Sequence, residues 1–122
     1  MYIAGLMPAN FKRHFVINLY SAKDGKRTIP FHVSIRPDTG LMVRNSMRDG
    51  EWQDEELYLV GPFPFVLGTH FDLMLCHKPE VVSVAVNGQL AFEFKHRMDS
   101  SSIDTMEITG SQMITSIRYE FY

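Results

Sequence analysis

The sequence predicts an all-β chain folded as a two-sheet antiparallel sandwich of jelly-roll type, and three observations carry that expectation. About ten short segments rich in β-branched and aromatic residues follow one another, each closed by turn residues. Apolar and polar residues alternate with period two in the clearest of them. No stretch keeps helical spacing for three turns between a cap and a stop.

The segments run in order along the chain. Tyr2 to Leu6 comes first, followed by Phe11 to Tyr20, where Phe15, Ile17 and Leu19 share one face. Asp24-Gly25 marks a turn, and Thr28 to Arg36 follows with Phe31, Val33 and Ile35 alternating against His32, Ser34 and Arg36. Leu41 to Asn45 precedes the Asp49-Gly50 turn, and Glu55 to Val60 reads as the next strand, with Glu55, Leu57 and Leu59 on one side. His70 to Cys76 is nearly continuous in apolar residues. Val81 to Asn87 and Leu90 to Lys95 flank Asn87-Gly88, a strong two-residue hairpin signal. Ile103 to Ile108 and Gln112 to Phe121 complete the set, the last with Met113, Thr115, Ile117, Tyr119 and Phe121 in alternation.

Composition bounds the rest. At 122 residues the chain is read as a single domain over 1-122, with no linker, repeat or low-complexity tract at which to divide it. Its formal net charge of -2, with Lys and Arg scattered, supplies no basic stripe of the kind nucleic acid demands. Cys76 lies within the apolar run FDLMLC and reads as a small buried hydrophobe, so no disulfide framework exists and the folding compartment reads as reducing cytosol. Neither a signal-peptide pattern nor about 20 consecutive apolar residues appears. His14, His32, His70, His77 and His96 show no metal-binding spacing, and no Gly-rich phosphate cradle is present. The chain therefore offers neither a metal site nor a cofactor site. Asp54, Glu55 and Glu56 are consecutive, so in a strand neighbours face opposite sides, whereas glycoside hydrolysis needs two carboxylates converging on one bond; no catalytic set is assigned.

One cluster remains. His32, Ser34 and Arg36 project from the polar face of an otherwise apolar strand, and Asn45, the only tryptophan, Trp52, and Glu55 follow within a hairpin's length. Such a set suits a sugar. The apolar face of a pyranose stacks on an indole, its hydroxyls need forked or charge-assisted partners, and the axial hydroxyl of galactose can be read from one side by a His and Arg pair. The structural alternatives are plain: a sole Trp is commonly core, a lone His commonly structural, and Arg36 can serve in a surface ion pair with Asp38 or Glu55.

The pattern His-x-x-x-Arg, Val-x-Asn, Trp-x-x-Glu resembles the carbohydrate-binding signature of the galectins. The segments YIAGLMP, FVINLY, VRNSMRDGEW, PFPFVLGTHFDLML, VAVNGQLAFEFKHR and MEITG each resemble a galectin segment, in galectin order. The resemblance implies a β-galactoside-binding lectin of the galectin fold. In it His32 and Arg36 read the axial hydroxyl, Asn45 meets the primary hydroxyl, Trp52 stacks, and Arg36 orients Glu55. It implies galactose-containing glycans as partners and a cytoplasmic protein, or one exported without a signal peptide. Two positions depart from the pattern: Ser34 stands where the family has Asn, and Leu57 where it has an Arg that reaches the second sugar. The sequence places Arg44 and Arg48 nearby as candidate auxiliary cations. Specificity is therefore expected to be altered or weakened, and the alternative is a galectin-fold interaction module without sugar binding. The resemblance also implies a strand upstream of YIAGLMP, so the chain either lacks that strand or is one domain of a longer protein; a homodimer and a tandem second domain both stay open.

Overall fold

The computed structural model describes residues 1–9, 14–110 and 114–118. Its strands are β1 (Tyr2–Leu6), β2 (Phe15–Tyr20), β3 (Ile29–Arg36), β4 (Leu41–Arg48), β5 (Glu51–Trp52), β6 (His70–His77), β7 (Val81–Val86), β8 (Gln89–Lys95), β9 (Thr105–Thr109) and β10 (Ile114–Arg118), with one 3-10 turn at Gly25–Arg27. They pair into two five-stranded antiparallel sheets, ordered β10-β1-β6-β7-β8 and β5-β4-β3-β2-β9. No helix among the described residues is long and apolar enough to cross a membrane. Residues 11–13 of the expected second strand, and 112, 113 and 119–121 of the expected last one, lie outside the described residues.

Alternation decides what the sandwich buries. The inner faces contribute Phe15, Ile17, Phe31, Val33 and Ile35 from one sheet and Leu73, Leu75, Val84, Phe92 and Phe94 from the other, all fully or almost fully buried. Phe31 joins the layers, its ring 5.4 Å from that of Phe94 in an edge arrangement and 6.3 Å from that of Phe92. Two of the three dipeptide turns form as mirror-image hairpins: Asn87 and Gly88 have φ of 52° and 81°, and Asp49 and Gly50 have φ of 52° and 82°, whereas Asp24, at φ -84°, leads Gly25 into the 3-10 turn. Gly50 is confined twice over. Its backbone N–H donates to the Arg27 carbonyl at 2.7 Å, and a Cβ there would meet Arg27 Nη2 at 3.0 Å.

Two expectations are corrected. Glu55 to Val60 forms no strand; only Arg44 and Glu56 pair, in an isolated antiparallel bridge. Side chains take up carbonyls there instead: Arg44 Nη2 donates to Tyr58 O within the segment, and just before it Asn45 Nδ2 donates to Gln53 O and Arg97 Nη2 to Asp54 O. The second correction is Cys76, which is half-buried rather than buried. Strand parity overrides the apolar run: Phe71, Leu73 and Leu75 point inward, so Cys76 shares the outer side with Asp72 and Met74.

The site depends on one irregularity in β3. Ile29 pairs with Met47, yet His32 pairs with Asn45, so three steps on β3 match two on β4. Pro30 lies within that bulge, and a proline cannot donate to a ladder. Ile29, Pro30 and Phe31 are consequently all buried, and regular alternation resumes with His32 facing outward.

Candidate functional site

From His32 onward the register of β3 fixes the neighbours of each outward side chain. His32 lies between Asn18 on β2 and Asn45 on β4, Ser34 between Val16 and Val43, and Arg36 beside Leu41. The Asp49-Gly50 hairpin returns the chain so that Trp52 pairs with Met47, and its ring lies 4.6 Å from the His32 ring, centroid to centroid. Together these residues open a cleft of about 450 Å³ lined by His32, Arg36, Val43, Asn45, Trp52, Gln53 and Glu55. Five of the six residues singled out in the sequence thus meet around one space. Ser34 is the exception: it is only 2% exposed, and its Oγ accepts a hydrogen bond from Arg36 Nε at 3.2 Å. It supports Arg36 from below.

Trp52 keeps 49% of its surface exposed, as an open platform does and a core residue does not. His32 Nδ1 lies 2.7 Å from Asn18 Oδ1, Asn18 Nδ2 donates to Glu107 Oε1 at 3.1 Å, and Glu107 pairs with Lys26. Burial pushes the His32 imidazole down to about 4, and the nearby Arg36 charge acts in the same direction. The Lys26 and Asn18 hydrogen bonds hold Glu107 below the ordinary carboxylate range. Asn45 is more committed than its position suggested. Its Oδ1 accepts from the Ser46 N–H at 2.7 Å and from Arg97 Nη1 at 3.1 Å, while Nδ2 donates to Gln53 O at 3.1 Å. With both lone pairs used, the amide faces the cleft as a donor through its second N–H.

Arg97, just past β8, escaped sequence reasoning. It donates to Asn45 Oδ1, Ser46 Oγ, the Asp54 carbonyl and Glu56 Oε2, and its guanidinium lies 4.9 Å from the centre of the Phe94 ring. It ties β4 to the segment that carries Glu55. Nothing local marks it, because its partners lie 41 to 52 residues away.

The auxiliary cations are a correction. Arg44 is 2% exposed on the inner side of β4, donating to Met42 O at 2.9 Å and Tyr58 O at 2.5 Å with its guanidinium 4.4 Å from the centre of the Phe92 ring. Parity is the reason, since Asn45 faces out and its neighbour must face in. Arg48, of the same parity at the exposed end of β4, does not line the cleft either. The ion pairs among the described residues are Lys26–Glu107 and Arg97–Glu56, so Glu55 takes part in none. Leu57 is 47% exposed and outside the lining.

Chemically the cleft combines an aromatic platform, a guanidinium, a neutral imidazole, an amide donor and one carboxylate, Glu55. Glu56 is turned to Arg97, so the two neighbouring carboxylates do not converge. No cluster of three His, Cys, Asp or Glu side chains among the described residues is placed to hold a metal.

The family model for galactoside-binding lectins matches residues 1–119. Human galectin-4 is 33% identical over 117 residues, which cover 95% of this chain and 35% of galectin-4. The 32 kDa beta-galactoside-binding lectin of Caenorhabditis elegans is 33% identical over 108 residues, covering 88% of this chain and 37% of that lectin. The chain thus spans about a third of the length of these curated relatives. Among solved structures, the Caenorhabditis elegans galectin LEC-6 superposes with a TM-score of 0.76 at 27% identity, over 93% of this chain and 75% of that one.

Proposed function

This chain belongs to the galactoside-binding lectin family, the galectins, and on that premise we propose that its cleft binds the galactose of a β-galactoside without acting on it. The observation that carries the reading is the half-exposed Trp52 ring beside His32 and Arg36 in one cleft. Galactose stacks its apolar face on Trp52 and sets its axial hydroxyl between the His32 acceptor and the Arg36 donors. Its primary hydroxyl accepts from Asn45, and Glu55 accepts a hydroxyl proton. The chain performs recognition only, and its partners are galactose-containing glycans. Any cross-linking role depends on a second site, in a partner copy or in a further domain.

Affinity rests on the terminal sugar. Leu57 offers no cation to a second sugar, and Arg44 is held inside the sandwich. Lactose therefore binds with a dissociation constant on the order of 0.1 to 1 mM, about -5.5 to -4 kcal/mol. The same features favour a second reading, a galectin-fold interaction module that has lost sugar binding: Ser34 is sealed beneath Arg36, and the Asn45 carbonyl is occupied. A glycan array probed with the pure chain separates the two. Signal confined to glycans ending in galactose supports the lectin; a blank array supports the module.

A further inference from the structure

We propose that Asn18, held by Glu107, is a positioning residue that fixes His32 with its proton on Nδ1 and an open lone pair on Nε2. The cleft then admits at that point only a ligand group that donates. The inference rests on the sugar-binding reading for its ligand, but its structural half stands on hydrogen bonding alone.

The chain of donors and acceptors has one solution. Glu107 is paired with Lys26, and an ionised carboxylate can only accept, so the Asn18 group that reaches Glu107 Oε1 at 3.1 Å must be its NH₂. That turns Asn18 Oδ1 toward β3, where it lies 2.7 Å from His32 Nδ1. A carbonyl oxygen cannot donate, hence Nδ1 carries the proton. The imidazole is neutral near pH 7 and has one proton to place, which leaves Nε2 bare. Nε2 has no protein partner among the described residues, and the ring lines the cleft.

The surrounding charges keep it so. Arg36 on β3 repels a proton on the ring, Trp52 on β5 and Asn45 on β4 bring no charge, and the Glu107 carboxylate on β9 is separated from the ring by Asn18 and already paired with Lys26. Glu55, across the cleft, is the remaining carboxylate in the lining. A galactose axial hydroxyl satisfies this arrangement by donating its proton to Nε2 while accepting from Arg36. Fluorine in its place still accepts from Arg36 but leaves Nε2 unpaired.

Side-chain nitrogen spectroscopy of the whole, uniformly 15N-labelled chain reads the tautomer directly, with the His32 signals assigned by their loss in His32→Gln. At pH 7 the wild type is expected to show a protonated Nδ1 and a bare Nε2. Asn18→Ala releases the ring into mixed tautomers and weakens galactoside binding. The galactoside carrying fluorine at the axial position binds the wild type at least tenfold more weakly than the parent sugar. A wild type protonated on Nε2 or in mixed tautomers overturns the proposal without needing any variant to fold. So does an Asn18→Ala protein with the tautomer unchanged, or equal binding of the fluorinated sugar. The expected tautomer together with no binding of any galactoside supports the positioning role and overturns the sugar-binding reading instead.

Discussion

Trp52 and Leu57 are both about half exposed, yet replacing them has opposite expected consequences. Trp52→Ala removes the stacking face and is expected to abolish sugar binding while the melting temperature stays within a degree or two, because little core is lost. A sharp drop, matching the roughly 3 to 5 kcal/mol of a buried aromatic, shows instead that Trp52 is core. Leu57→Arg supplies the missing cation and is expected to tighten binding of lactose or N-acetyllactosamine by up to about 3 kcal/mol, leaving galactose alone unchanged. Isothermal titration of both sugars against both proteins checks it. His32 adds a pH dependence. Its folded value near 4 lies below the ordinary 6.5, so the unfolded chain binds the proton more readily. Its contribution to stability is complete above pH 6.5 and is lost as the pH falls through about 4. His77 is lowered as well, by burial first and by His96 second, so it adds a slope of the same sign. Melting curves between pH 7 and 4 should fall with acid, and fall less steeply for His32→Gln.

At the scale of elements, β3 is both the wall of the core and the floor of the site. Phe31→Ala, beneath His32, is expected to cost about 3 to 5 kcal/mol in denaturant unfolding, since the ring packs between Phe92 and Phe94. Arg97→Met, which keeps the apolar stem over Phe94 and removes the charged hydrogen bonds, is expected to cost about 1.5 to 3 kcal/mol and to weaken galactoside binding by loosening Asn45 and the segment bearing Glu55. Period two made β3 legible in the sequence, because Phe31, Val33 and Ile35 alternate with His32 and Arg36. Asn87-Gly88 and Asp49-Gly50 were legible because a mirror-image turn needs residues that tolerate positive φ. The segment after Trp52 was not, because its pairing is replaced by the Asn45 and Arg97 side chains, and such long-range contacts leave no periodicity. Parity also told against Arg44 from the outset: a residue adjacent to Asn45 on one strand cannot share its face.

Over the whole molecule, two sheets divide the labour. One carries the cleft on its outer face, and the other presents an outer face that includes half-buried Cys76 on β6. Cys76 is therefore expected to react with a small thiol reagent in the native protein at a measurable rate; reactivity appearing only on unfolding contradicts its placement. Recognition of galactose between Trp52 and the His32 and Arg36 pair is tested by backbone and indole N–H shifts followed through a lactose titration. Saturable shifts are expected at His32, Arg36, Asn45 and the Trp52 indole, with a dissociation constant on the order of 0.1 to 1 mM. Shifts that gather elsewhere, as around a separate surface cavity lined by His77 and His96, or no shift at tens of millimolar lactose, overturn it.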